Sequence, residues 1–286
     1  MMITQFIKLF RIKHYVKNFL VITPLLCSGK LFASPSYILS ILLAVVSFCL
    51  ISSAIYITND ILDRKKDAKH PKKQHRPIAS GAVNVSTAIS ISIILLIFSI
   101  AIAIYLSAVG SWASLTIIVL YYALNIAYSI RLKHVPIIEV AILASGFILR
   151  VLYGGFVTGI EVSSWLYLTI LSGSFYLGLG KRRNEYETLS DSSTRGVLKR
   201  YSQRFLDRNM YMFFALAICF YSLWSMEQGQ WALFSVPMVM ILGMRYSLIV
   251  EGESDGDPVD VILKDKMLLA LGGIYAIYMF LAIYAI

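Results

Sequence analysis

Residues 59–81 read NDILDRKKDAKHPKKQHRPIASG, and the reading of this stretch decides what the rest of the chain can be. Asn59, Asp60, Asp63 and Asp67 come first. A basic run with Lys72, Lys73 and Arg76 follows, and Pro77 and Gly81 close it. On either side lie apolar runs, 37–57 and 85–106, each long enough to cross a bilayer as a helix. A cluster this charged between two such runs sits at a membrane surface.

Composition extends that reading to the whole chain. Of 286 residues, 58% are hydrophobic and 15% charged, against about 25% charged in an ordinary soluble domain. A soluble protein of this make-up would expose large apolar patches and aggregate. The chain therefore reads as an all-α polytopic membrane protein of about nine transmembrane helices. It forms a single domain over 1–286, with an amphipathic segment at 1–14 in which Ile3, Phe6, Ile7 and Phe10 share one face. Spans fall near 15–32, 37–60, 85–107, 109–128, 136–157, 162–180, 209–226, 230–249 and 267–286. The longer polar connections are 61–84, 129–135, 181–208 and 246–266, and within the last of these EGESDGDP (251–258) reads as an irregular loop.

The formal net charge of +10 would point a soluble protein toward nucleic acid. Here topology accounts for it. Of the 26 Lys and Arg, all but Lys30 and Arg150 fall at the N-terminus, in the four polar connections or, for Arg245, at the edge of the last, and these share one side. The positive-inside rule makes that side cytoplasmic, with the N-terminus inside, the C-terminus opposite, and the cytoplasmic membrane as the location. Nucleic acid is excluded as a partner. Cys27, Cys49 and Cys219 are too scattered for a metal or disulfide framework. The apolar run 19–26 lacks a small-residue cleavage site and reads as a retained first helix.

The acidic residues have a chemical logic. On a helix, Asn59, Asp63 and Asp67 lie one turn apart on one face, with Asp60 adjacent. Carboxylates about 6 Å apart repel by about 3 kcal/mol at an effective dielectric of 20. A cation relieves that repulsion, and hard oxygen donors favour Mg²⁺, whose remaining positions suit phosphate oxygens. The basic residues that follow would neutralise the rest of the phosphate charge. The plain alternative is a solvated loop of mixed charge with helical pairs such as Asp60–Arg64. Arg150, inside the fifth span, must face a polar cavity or meet a partner such as Glu139 or a carbonyl. The cluster Lys181, Arg182, Arg183 at the end of the sixth span is either a phosphate site or an ordinary positive-inside cluster.

The pattern N-D-x-x-D-x-x-x-D ending in R-P-x-x-x-G resembles the first signature of the UbiA superfamily of membrane transferases, with Asn59, Asp60, Asp63, Asp67, Arg76, Pro77 and Gly81 in register. The resemblance implies a central polar cavity open to the cytoplasm, and Mg²⁺, or Mn²⁺ in its place, held by Asn59, Asp60, Asp63 and Asp67. Residues 121–133 (YYALNIAYSIRLK) are similar to the family's second element and offer Asn125, Tyr128 and Lys133. Where prenyltransferases of the family carry a second aspartate-rich motif, this chain has GKRRNE at 180–185.

That departure resembles the polyprenyl-phosphate phosphoribosyltransferase branch, as do RIKHYVKN at 11–18 and the tail at 245–265. The resemblance implies transfer of a 5-phosphoribosyl group from phosphoribosyl pyrophosphate (PRPP) to a polyprenyl phosphate in the bilayer, releasing pyrophosphate. It makes Asn59, Asp63 and Asp67 the catalytic set. Substrate contacts would come from Lys17, Asn18, Lys72, Arg76, Asn125, Tyr128, Lys133, Arg150, Lys181 and Arg182. A UbiA-type prenyltransferase is the alternative enzyme, and a transporter or lipid-binding protein the alternative class. Transporters bind near the midplane with broken helices, whereas charge here gathers at one face. Gly- and Ser-rich span faces permit a homo-oligomer.

Overall fold

A computed structural model describes residues 2–70, 73–188, 196–252 and 257–285. In chain order the α-helices are α1 Met2–Phe10, α2 Thr23–Cys27, α3 Pro35–Asp67, α4 Val85–Val109, α5 Ala113–Ile130 and α6 Ile138–Thr158. They continue as α7 Ser164–Thr188, α8 Gln203–Gln228, α9 Gln230–Leu233, α10 Val236–Glu251, α11 Pro258–Lys264 and α12 Lys266–Tyr284. No strand occurs among the described residues. The ends follow local chemistry. Ser34, Asn84, Ser202, Asp257 and Asp265 cap α3, α4, α8, α11 and α12 by accepting from backbone N–H groups of the first turn. Proline stands in the first turn of α3, α10 and α11, where its missing N–H is no loss.

Seven stretches among the described residues are long and apolar enough to cross a membrane: α3, α4, α5, α6, α8, Gln230–Glu251 and α12. This is a multi-pass membrane protein. The two other expected spans differ for identifiable reasons. The first is not one helix over 15–32: a 3-10 helix covers Ile12–Ile22 and the five-residue α2 continues it. Such a long 3-10 run is uncommon, and tertiary contacts hold it, since Asn18 and Val21 are both buried. The other, α7, has ample length, but its last third carries KRRNEYE. Asp257 caps a helix at Pro258, within the stretch expected to be irregular; residues 253–256 of it lie outside those described.

The chain forms two compact units. The first comprises 1–25, 31–133 and 149–161. Its core joins Phe48, Ile51 and Ile55 of α3 to Ile118 and Tyr121 of α5 and to Leu149 and Tyr153 of α6. Helices α3 and α4 meet through small polar residues: Ser47 donates to the Ser99 carbonyl at 3.0 Å, and Ser99 to that of Ser47 at 2.9 Å. A second cluster packs Leu9 of α1 against Ile57, Ile78 and Ala88. Helix α3, with 33 residues, is about 50 Å long at 1.5 Å per residue, against a hydrocarbon core of about 30 Å. Its last turns, which carry Asn59 to Asp67, therefore project beyond the apolar layer.

The second unit comprises 26–30, 134–148 and 162–286. Its core gathers Tyr176 and Leu179 of α7, Leu206 and Met210 of α8, and Tyr246 and Val250 of α10. Tyr176 donates to the Gly243 carbonyl at 2.7 Å and stacks on Phe214 with ring centres 4.9 Å apart.

One close approach in the first unit fixes the 3-10 segment. A Cβ placed on Gly154 would lie 1.8 Å from the Val21 carbonyl oxygen, so only glycine lets the segment rest on α6. Gly154→Ala should lower stability by about 3 kcal/mol, the upper range for overpacking. Gly173→Ala, with nothing within 4 Å of the added atom, should be neutral or slightly stabilising. Thermal melts of the two variants in detergent, side by side, check this.

Candidate active site

In the first unit the acids of α3 are matched with cations. Asp60 is 3% exposed. Its Oδ1 accepts from Arg11 Nη2 at 2.5 Å and from Arg76 Nη1 at 2.9 Å. Arg76 Nη1 also donates to Asp67 Oδ2 at 2.7 Å. Asp63 Oδ1 accepts from Lys133 Nζ at 2.7 Å. Asn59 is half-buried on the same stretch.

The loop after α3 delivers Arg76. A turn of 3-10 helix at Lys73–His75 reverses the chain. Ser80 N–H donates to the Arg76 carbonyl at 2.8 Å and Val83 N–H to that of Pro77 at 2.9 Å. Gly81 takes φ +79°, which glycine adopts without penalty, and Ile78 anchors the loop in the core. Arg11 arrives from the other direction. It is itself left-handed, at φ 53°, a rare conformation for a side-chain-bearing residue. Its guanidinium stands 4.8 Å from the centre of the Tyr56 ring.

Deeper in the same unit lies a second polar group. Arg150 Nε donates to Asn18 Oδ1 at 2.8 Å and Nη2 to the Tyr121 hydroxyl at 2.8 Å. The guanidinium lies 5.0 Å from the ring centres of both Phe48 and Tyr121, which stabilises a desolvated cation. Asn18 in turn donates to Cys49 Sγ at 3.2 Å. Arg150 is thus held by Asn18, Tyr121 and aromatic faces, whereas Glu139 engages Arg182. Asn125 donates to the Tyr121 carbonyl of its own helix at 2.8 Å. Lys17 and Tyr128 are half-buried. Lys72 lies outside the described residues.

In the second unit the cations of GKRRNE are paired with carboxylates. Arg182 and Glu139 are 1% and 0% exposed. Arg182 Nε donates to both oxygens of Glu139 at 2.8 and 2.9 Å, Nη2 sits 2.7 Å from Glu139 Oε2, and Nη1 donates to Glu185 at 2.6 Å. Lys181 donates to Asp257 Oδ2 at 2.7 Å. Arg183 donates to Asp207 at 2.6 Å and to Glu187 at 3.0 Å. The Tyr201 hydroxyl accepts from Ile137 N–H at 2.6 Å, which holds Ile137 at φ 67°, a strained value for a β-branched residue. Arg245 bonds Asp265 at 2.7 Å and holds that carboxyl below the usual range. Arg182, expected to contact a phosphate, meets Glu139 or Glu185 with Nε, Nη1 and Nη2.

Sequence reasoning missed Arg11, Tyr121, Glu139 as the partner of Arg182, and Asp257. Each gains its role from a residue distant in the chain. For Glu139 and Arg182 the only advance signal was the rarity of unpaired charge beside apolar helices.

The donor chemistry suits a divalent metal. Asn59, Asp63 and Asp67 offer hard oxygens within two turns of one helix. No cluster of three or more His, Cys, Asp or Glu able to hold a metal forms among the described residues. Mg²⁺ takes oxygen donors of this kind and keeps positions for water and phosphate oxygens.

The buried Arg182–Glu139 pair makes a stability prediction. Glu139→Ala should cost about 3–5 kcal/mol, because it strands a buried guanidinium. Glu139→Leu combined with Arg182→Met should melt well above Glu139→Ala. Scanning fluorimetry of the three proteins in one detergent reads the order.

Comparison with known proteins agrees with this architecture. The UbiA prenyltransferase family model matches residues 19–263. A decaprenyl-phosphate phosphoribosyltransferase of Corynebacterium glutamicum is 34% identical over 285 residues, covering 96% of this chain and 85% of that one. The protein of the same name in Mycobacterium tuberculosis is 30% identical over 279 residues, covering 93% and 89%. Among solved structures, a UbiA homolog from Archaeoglobus fulgidus bound to DMAPP and Mg²⁺ superposes with a TM-score of 0.72 at 18% identity, covering 99% of this chain and 100% of that one. With the first signature in register and the family model spanning most of its length, the chain belongs to the UbiA prenyltransferase family.

Proposed function

We propose that this protein transfers the 5-phosphoribosyl group of PRPP to a polyprenyl phosphate and releases pyrophosphate, at the cytoplasmic face of the cytoplasmic membrane. The observation that carries the reading is the pairing at the end of α3, Asp63 with Lys133 and Asp67 with Arg76. A magnesium diphosphate is itself a cation joined to an anion. It can exchange with such pairs, acid to metal and base to phosphate, without leaving a charge uncompensated. Two relatives named decaprenyl-phosphate phosphoribosyltransferase, aligned over more than nine-tenths of the chain, support the ribosyl donor and the lipid acceptor.

Asn59, Asp63 and Asp67 would hold the metal, Mg²⁺ or Mn²⁺, which supplies charge stabilisation to the departing pyrophosphate. Asp60, gripped by Arg11 and Arg76, keeps Arg76 in place. Arg76 and Lys133 bind diphosphate oxygens, with Lys17 and Lys72 as further phosphate donors and Tyr128 as a hydrogen-bonding side chain. Arg150 and Asn125 support these residues from the protein interior. The lipid phosphate oxygen forms a bond to ribose C1 as the bond from C1 to the pyrophosphate oxygen breaks, with inversion at C1. That oxygen is already ionised at neutral pH, so no proton has to be removed. Positioning and charge stabilisation carry the rate. Gly- and Ser-bearing helix faces would allow association of protomers.

Purified protein should release pyrophosphate from PRPP only when both a polyprenyl phosphate and Mg²⁺ are present, and chelation should abolish the release. Asp63→Asn and Asp67→Asn should each lower turnover by about a hundredfold or more while the protein stays folded in detergent. Full activity in both variants would remove the metal assignment. Consumption of a prenyl diphosphate with an aromatic acceptor, and none of PRPP, would make the protein a prenyltransferase.

A further inference from the structure

In the first unit, the 3-10 segment Ile12–Ile22 sorts its residues by threes. Lys13, Val16 and Phe19 are exposed, and His14, Lys17 and Leu20 are half-buried. Tyr15 is half-buried, and Asn18 and Val21 are fully buried. Residues three apart eclipse one another on a 3-10 helix, whereas on an α-helix each such step turns by about 60°. Two contacts with α6 fit the same spacing. Arg150 donates to Asn18 at 2.8 Å, and Gly154 lies under the Val21 carbonyl. Four residues of α-helix rise about 6 Å, and so do three of 3-10 helix.

The three rows differ in chemistry. The inner row faces α3: the Tyr15 hydroxyl lies 2.7 Å from Ser53 Oγ, and Asn18 donates to Cys49 Sγ. The middle row carries polar donors and begins beside the acids of α3. Arg11, just ahead of the segment, and His14 meet the same Tyr56 ring, at 4.8 and 5.9 Å from its centre. Tyr56 stands one helical turn before Asp60. Lys17 follows His14 one turn further along the row. The outer row becomes apolar in the same direction, with Val16 44% and Phe19 59% exposed. A donor-bearing row thus runs alongside an apolar one. That pairing suits an amphiphile, whose phosphate oxygens accept from Lys17 and His14 while its hydrocarbon chain covers Val16 and Phe19. A phosphosugar would leave the apolar row unused.

We propose that His14 and Lys17, flanked by Val16 and Phe19, form the headgroup subsite of the acceptor and take the phosphate monoester of an isoprenoid lipid. The proposal rests on the phosphoribosyl reading above and lies wholly within the first unit. Arg11 stays on Asp60 and closes the row at its α3 end. The attacking phosphate oxygen then lies beside the last turns of α3, where the diphosphate of the donor would be held.

The test is isothermal titration of the full-length protein in detergent with three probes: farnesyl phosphate, farnesol, and PRPP with Mg²⁺. Wild type should bind farnesyl phosphate, without PRPP, more tightly than farnesol. Lys17→Gln and His14→Leu should each weaken farnesyl phosphate by about tenfold or more and leave PRPP binding unchanged. Phe19→Ser, on the exposed row, should weaken farnesyl phosphate as well, and it covers the case in which His14→Leu folds poorly. Lys8→Gln, equally basic but off the row, should change neither. Wild-type affinity for farnesyl phosphate in the row variants overturns the subsite, as does loss of PRPP binding in its place. If farnesyl phosphate binds as described but wild type never releases pyrophosphate from PRPP, the phosphoribosyl reading fails and the lipid phosphate site stands.

Discussion

A charge beside an apolar layer has to be neutralised by a partner, and much of this structure follows from that requirement. The Born penalty of burying a lone ion far exceeds the net stability of a protein. Glu139 and Arg182 are almost wholly enclosed, and they exist as a bidentate pair that joins α6 to α7. Asp60 is nearly as enclosed and is gripped by two arginines, one on each side of α3 in the sequence. These pairs fix where the chain must return: Arg11 closes the N-terminal segment onto α3, and Arg76 closes the loop that follows it.

The same constraint shapes the candidate site. Helix α3 overshoots the bilayer because its last turns carry acids and bases that the hydrocarbon would not accept. Once outside, those acids are matched with Arg76 and Lys133 rather than left in water. Asp63, Lys133 and Arg76 stay partly accessible, while Asp67 is nearly as enclosed as Asp60. A ligand carrying both a metal and a phosphate could take the place of each partner in turn. The enclosed pair at Glu139 has no such freedom and serves as scaffold.

Much of this was legible in the sequence. The all-α membrane class, the place of most spans and the importance of 59–81 follow from hydrophobic run length and from charge isolated between such runs. Family membership follows from Asn59, Asp60, Asp63, Asp67, Arg76, Pro77 and Gly81 standing in register. What stayed hidden is pairing across distance. Nothing local says that Arg182 chooses Glu139, 43 residues away, or that Arg150 meets Tyr121 and Asn18. The 3-10 course of Ile12–Ile22 was equally hidden, because the contact that seats it, the Val21 carbonyl over the bare Cα of Gly154, is set by packing. The cations of GKRRNE signalled a departure from a second acidic motif, but besides Glu185 and Glu187 on the same helix their carboxylate partners Glu139, Asp207 and Asp257 lie far along the chain.

The most direct measurement is the mass spectrum of the lipid recovered after the purified protein is incubated with Mg²⁺, PRPP and a polyprenyl phosphate. The account predicts a product heavier than the acceptor by one phosphoribosyl group, with the label of ribose-labelled PRPP in the lipid fraction. An unmodified acceptor, alongside a prenylated aromatic product when a prenyl diphosphate is supplied instead, would contradict it.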